Sequence, residues 1–137
     1  MNIGLYTITS PLHNQEAVEA ASAGFIKEIE NELDCGFDIK EADFGTYGQH
    51  DLDGIYVRTG GTEGIFKEIF PLLKGNIVLL TSGKSNSLAA SMEILSYLNR
   101  QGRRGEIIHG SITYIADRLR TLPRVVSAAK RLDGSNL

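Results

Sequence analysis

The chain has 137 residues, a formal net charge of −3, and 42% hydrophobic against 23% charged residues, ordinary totals for one globular domain with a sizeable core. The slight acidity leaves no basic footprint for nucleic acid, and no run approaches the roughly 18 apolar residues of a membrane span. Met1-Asn2-Ile3-Gly4 lacks the basic and apolar pattern of a leader, and Cys35 has no second cysteine to pair with, so a cytoplasmic protein that partners neither nucleic acid nor membrane is expected.

Ile3–Ile8, apolar and rich in β-branched residues, predicts a first strand, which ends in the loop Thr9-Ser10-Pro11-Leu12-His13. Asn14 is placed to cap a helix with Glu16 in its first turn. Val18, Ala21, Phe25 and Ile29 then share one helical face, and Asp34-Cys35-Gly36 closes the helix. Cys35, without basic neighbours, reads as a packing residue. The weak alternation of Phe37–Phe44 suggests an edge strand, and polar Gly45–Asp53 a surface loop. Gly54–Arg58 predicts a third strand.

At its end lies Thr59-Gly60-Gly61-Thr62-Glu63, where the hydrophobic period switches from strand to helix. Gly60 and Gly61 admit backbone angles that other residues avoid, Thr62 is a good N-cap, and Glu63 sits at the positive end of the helix dipole. The helix runs through Phe70 and stops at Pro71. Asn76–Thr81 contains the unbroken run Ile77-Val78-Leu79-Leu80, the pattern of a central parallel strand. A second polar turn, Thr81 to Ser87, leads into a helix with Leu88, Met92, Leu95 and Tyr97-Leu98 as its buried face and Gly102 as its C-cap. Glu106–His109 predicts the fifth strand. Ser111 caps a last helix carrying Ile112, Ile115, Ala116 and Leu119, broken or kinked at Pro123, with a further helical face at Val125, Val126, Ala129 and Leu132.

Five alternations of strand and helix with short connections predict an α/β fold. It is a doubly wound three-layer sandwich on a five-stranded parallel sheet, flavodoxin-like or Rossmann-like, with strand order 2-1-3-4-5. Residues 1–132 form the domain in this reading, and 133–137 begin a linker. Ligands of such folds collect beyond the carboxyl ends of the strands, where the turns Thr9–His13, Arg58–Glu63, Thr81–Asn86 and His109–Ser111 all fall. Candidate ligand-binding residues are therefore Arg58, Thr59, Gly60, Gly61, Thr62, Glu63, Thr81, Ser82, Lys84 and Asn86. Arg58 and Lys84 could hold an anion or sugar hydroxyls beside two helix N-termini. The plainer alternatives are a simple strand-to-helix turn and exposed solubilising charge.

Several chemistries fail on the residues. Gly83-Lys84-Ser85 resembles the end of a phosphate loop, but that motif needs a glycine where Val78 stands. Gly60-Gly61-x-x-Gly64 is not a dinucleotide fingerprint, and Thr9-Ser10 and Arg58-Thr59 occupy the places where a phosphate-accepting receiver needs acids. Thr7-Ile8-Thr9-Ser10-Pro11 has no glycine for a flavodoxin-type phosphate loop. His13, His50 and His109 are scattered without metal-ligand spacing, and Asp51/Asp53 read as a solvated loop pair. No catalytic or metal residue is assigned.

Thr59-Gly60-Gly61-Thr62-Glu63, followed after the next strand by Asn86-Ser87-Leu88-Ala89-Ala90-Ser91-Met92-Glu93, resembles the N-terminal domain of the L-fucose/L-arabinose isomerase-like family. Ala89 stands where proline is frequent in that family, and the resemblance extends over most of the chain. It implies the substrate-facing and oligomerisation domain of a longer sugar (aldose–ketose) isomerase-like protein in carbohydrate metabolism, not catalytic alone. It also implies manganese or another divalent metal held by carboxylates and histidine of later domains, with none bound by this segment. Assembly as a homo-oligomer, in which this domain offers loops to the sugar substrate of a neighbouring subunit, follows from the same resemblance. The alternatives are a stand-alone binding module for a small polar or anionic ligand and a purely structural interaction domain.

Overall fold

A computed structural model describes residues 2–122; the readings made at Pro123, at Val125 to Leu132 and at the terminal linker lie outside them. Five strands, β1 (Ile3–Ile8), β2 (Asp38–Glu41), β3 (Leu52–Val57), β4 (Ile77–Leu80) and β5 (Gly105–Ile108), form one sheet in the order β2-β1-β3-β4-β5. Every neighbouring pair is parallel. Three helices, α1 (Gln15–Leu33), α2 (Glu63–Ile69) and α3 (Ser87–Arg100), alternate with the strands, and residues 112–122 form a fourth, α4. The α/β, all-parallel, flavodoxin- or Rossmann-like sandwich expected from the alternation is the observed architecture.

The side-chain period of two along each strand divides the core cleanly. Ile3, Leu5, Tyr56, Val78, Leu80 and Ile108 face α1 and α4, packing on Ile26, Ile29, Ile115 and Leu119. Tyr6, Ile8, Ile55, Val57, Ile77 and Leu79 face α2 and α3, packing on Phe66, Ile94 and Leu98. A strand covered on both sides has no polar face to alternate, which is why β4 is apolar throughout. Burying each of these large side chains contributes about 1.5–3 kcal/mol before the entropy of ordering the chain is counted.

Several local expectations shift. The Asn14 carboxamide oxygen accepts from Ala17 N at 3.1 Å, so the α1 cap is as predicted. The buried stripe of α1, however, is Val18, Ser22, Ile26, Ile29 and Leu33, with Ala21 exposed. That of α3 is Ser87, Ala90, Ser91, Ile94 and Leu98, with Met92 58% exposed. Ser22 and Ser91 donate to the carbonyls one turn back, at 2.7 and 2.8 Å. A hydroxyl satisfied in this way can lie in an apolar layer. Pro71 does not end α2 abruptly, since one turn of 3₁₀ helix, Phe70–Leu72, continues it. Leu52 and Asp53 belong to β3 rather than to a polar loop. Ser111 caps α4 by accepting from Tyr114 N at 3.1 Å.

Candidate ligand cleft at the carboxyl edge of the sheet

β3 and β4 are hydrogen-bonded neighbours, so the turns that leave them are forced together beyond their carboxyl ends. Gly60 N donates to Ser85 O at 2.7 Å and joins the two turns directly. A Cβ on Gly60 would stand 3.0 Å from Asn86 Cβ, a contact that presses the two backbones apart. Gly61 adopts φ +70°, in the left-handed region that disfavours side chains. Ser85 and Asn86 hold φ values of 56° and 61°, sparsely populated angles that asparagine tolerates better than most residues. Asn86 occupies the N-cap position of α3, yet its side chain caps nothing. A cleft of about 270 Å³ lies between these turns and the one after β1, lined by Ser10, Leu12, His13, Gly60, Gly61, Asn86, Ala89, Ala90 and Glu93.

The ten candidate residues divide into three groups. Gly60, Gly61 and Asn86 line the cleft. Thr59, Thr62 and Thr81 are fully buried and hold the turns together. The Thr59 hydroxyl accepts from Ser10 N and donates to Gly60 O, both at 2.9 Å, and Thr62 donates to Thr59 O at 3.2 Å. Thr62 thus stands at the start of α2 without capping it through its side chain. Thr81 shares a 2.6 Å hydrogen bond with Ser87.

The remaining candidates point elsewhere. Arg58 is only 7% exposed and lies 2.9 Å from Glu19 of α1. That approach is an ion pair without hydrogen-bond geometry, and Nε and Nη2 of Arg58 have no hydrogen-bond partner. Glu63 pairs with Lys67 at 3.3 Å, and the hydrogen bond from Lys67 is the first cause holding its carboxyl below the ordinary range. Ser82 accepts from Lys84 N at 3.3 Å, and the Lys84 side chain is exposed outside the cleft. Ser10, His13 and Glu93 were absent from the candidates. Ser10 and His13 lie in a turn recognised as belonging to this edge, whereas nothing in the helical pattern distinguishes Glu93 from solvated helix charge.

The amino edge carries a second polar cluster. Asp53 is not a solvated loop acid: its side chain is 8% exposed, and Oδ1 lies 2.8 Å from His50 Nδ1. His50, 5% exposed, reaches Asp38 Oδ2 with Nε2 at 2.7 Å. A cavity of about 440 Å³ lies beside this cluster, bounded among others by Tyr47, His50, Asp53, Asn76, Arg104 and Arg118. Burial pushes the Tyr47 phenol well above its ordinary range. Among the described residues no three His, Cys, Asp or Glu side chains are grouped so that they could hold a metal ion. Nor is any described helix long and apolar enough to cross a membrane. No protein-family model, curated protein or solved structure matches the chain, and the family resemblance rests on the two quoted motifs alone.

Proposed function

We propose that the carboxyl-edge cleft takes a small polyhydroxylated ligand of the sugar class. In this reading the chain is the substrate-facing and assembly domain of a sugar (aldose–ketose) isomerase-like protein of carbohydrate metabolism. The observation that carries the first statement is the character of the cleft wall. Backbone of Gly60 and Gly61, the Ser10 hydroxyl and the uncommitted Asn86 carboxamide supply neutral donors and acceptors. Hydroxyl groups need such partners, because a polar group buried without one loses free energy on binding. Glu93 at the rim disfavours an anion and accepts from a hydroxyl. The second statement rests on the family resemblance. With it come a cytoplasmic homo-oligomer, a neighbouring subunit that receives the bound sugar, and manganese or another divalent metal held by residues of other domains. Proton movement between adjacent sugar carbons needs an acid or base in reach, and this reading leaves that task to those domains.

A second reading, a stand-alone module for a small polar or anionic ligand, draws support from Arg58, just beyond β3. Among the described residues its Nε and Nη2 make no hydrogen bond, and its only ion pair is with the exposed Glu19. Amide NMR of the labelled chain, titrated separately with L-fucose, L-arabinose and inorganic phosphate, tests both. The sugar reading expects saturable shifts at Ser10, His13, Gly60, Gly61 and Asn86 with the aldoses alone. Shifts centred on Arg58 with phosphate alone favour the second reading, and silence with every ligand removes both.

A further inference from the structure

The parallel register sets Asp38 of β2, Gly4 of β1 and Asp53 of β3 in one row across the sheet near its amino edge. The middle position has no side chain, and the ring of His50 fills the space above it. A Cβ on Gly4 would lie 2.5 Å from His50 Nδ1 and 2.7 Å from Asp53 Oδ1. From this seat the ring meets Asp53 on one side at 2.8 Å and Asp38 on the other at 2.7 Å. A neutral imidazole has one N–H and would turn a lone pair toward one of the two carboxylates. Only the imidazolium donates to both.

We propose that protonated His50 is a latch that ties the edge strand β2 to β3 across β1, and that loss of its proton loosens β2 and the adjoining rim of the amino-edge cavity. Beyond its short ladder with β1, β2 has little else to hold it. It is four residues long and largely exposed, its pairing with β1 shifts register between Leu5 and Tyr6, and Glu41 at its end adopts φ +52°. Short edge strands of this kind open with free energies far below that of global unfolding. The next residues are better anchored: the Phe44 and Tyr47 rings pack 5.0 and 5.3 Å from that of Tyr6, and the Tyr6 hydroxyl is 2.9 Å from Thr46 Oγ1. The loosening is therefore confined to Asp38–Glu41 and to the cavity rim around Gly48 and His50, where Gly48 N donates to Asp53.

The groups facing the ring are Tyr6 from β1, Asp38 from β2 with Lys40 3.4 Å from its carboxylate, and Asp53 from β3, whose second oxygen accepts from Gly48 N at 3.0 Å. Burial alone lowers the tendency of the ring to hold its proton. The hydrogen bonds to Asp38 and Asp53 and the charges of both acids outweigh burial and raise its pKa above the ordinary value. The charge-assisted bonds are thus fully present below about pH 6.5 and lost as pH rises through the raised value.

Amide hydrogen exchange followed by NMR, corrected for intrinsic rates, tests the latch between about pH 6 and pH 9. The expected result is a fall of about tenfold in protection of the β2 amides as His50 deprotonates, with β4 amides unchanged. In His50→Gln, whose single NH₂ leaves an oxygen against one carboxylate, β2 protection is expected to be low and independent of pH. Should that variant fail to fold, ring ¹⁵N shifts of the unaltered protein decide, because the latch requires both nitrogens protonated at about pH 6 and a titration above about pH 6.5. A neutral tautomer at about pH 6, or β2 protection that stays constant while the ring titrates, overturns the proposal.

Discussion

At the carboxyl edge the turns after β1, β3 and β4 meet as glycine backbone, hydroxyls and one carboxamide. At the amino edge, the row Asp38–Gly4–Asp53 is completed by a ring that bridges two acids. Both ends depend on a glycine, for opposite reasons. Gly61 is needed for its own φ of +70°, so the constraint there lies in the backbone. Gly4, the second residue of β1, is needed because another side chain occupies the place of its Cβ. At the carboxyl edge the buried threonines are bonded within the turns, but the Asn86 carboxamide stays uncommitted and able to meet a ligand. The amino edge spends its charges on one another. That difference is what supports proposing binding at the first end and a conditional structural role at the second.

The sharpest way to break the comparison is to fill the amino-edge gap. Gly4→Val is expected to destabilise the chain by about 3 kcal/mol, since overpacking must displace His50 or Asp53 from a closed site. Chemical denaturation measures it, and a loss below about 1 kcal/mol would show that the ring moves aside freely. Gly61→Val comes next, at about 2 kcal/mol, from the strain of a branched residue held at positive φ. The two are separable by a second reading: Gly4→Val is expected to abolish the pH dependence of β2 exchange, and Gly61→Val to leave it intact.

His50→Gln is expected to lose about 1.5 kcal/mol near pH 6, the worth of a charge-assisted hydrogen bond. The loss shrinks as pH rises through the raised pKa of His50, because the unaltered protein then loses the same bonds. Asp38 imposes the opposite limit. The hydrogen bond from His50 holds its carboxyl below the ordinary value, so its contribution is present above about pH 4 and lost as pH falls through the lowered value. Urea midpoints measured across pH should therefore show a plateau that His50→Gln flattens at both ends, because the upper limit is the titration of His50 and the lower one depends on its hydrogen bond to Asp38. A parallel offset at all pH values would mean that His50 acts only as packing.

How legible each end was follows from how local its determinants are. β1, β3 and β4 announce themselves because a strand buried on both faces needs an apolar run, and Ile77-Val78-Leu79-Leu80 is one. The turn at Gly60-Gly61 is equally local, and the pairing of β3 with β4 brings it to Asn86 as the fold class implies. The buried stripes of α1 and α3 were displaced in the reading because Ser22 and Ser91 look polar until their carbonyl partners are known. The amino-edge cluster was illegible for a stronger reason. His50 meets Asp38 across 12 positions of sequence, over a glycine of a third strand, and only the register of three strands creates that meeting. Asp53 looked like loop because its polar neighbours Asp51 and His50 hide the start of β3 at Leu52.

The smallest expected effect concerns Lys84, which the sequence offered as half of a cationic pair with Arg58. Its side chain is exposed, makes none of the hydrogen bonds that order the turn, and does not border the cleft. Arg58 is turned away toward Glu19 of α1, so the two cations do not act on one ligand. Lys84→Ala should change stability by no more than about 0.5 kcal/mol, as for surface substitutions away from caps and cores, and aldose binding by less than about twofold, which corresponds to some 0.4 kcal/mol. Asn86→Ala is the informative partner. It keeps the Gly60 N to Ser85 O link but removes the uncommitted carboxamide from the cleft wall, and should weaken aldose binding by about tenfold, the worth of one strong hydrogen bond. If calorimetry or NMR titration finds the reverse order, with Lys84→Ala the weaker binder, the ligand is held by charge at the rim. The neutral character of the cleft would then no longer describe what it selects.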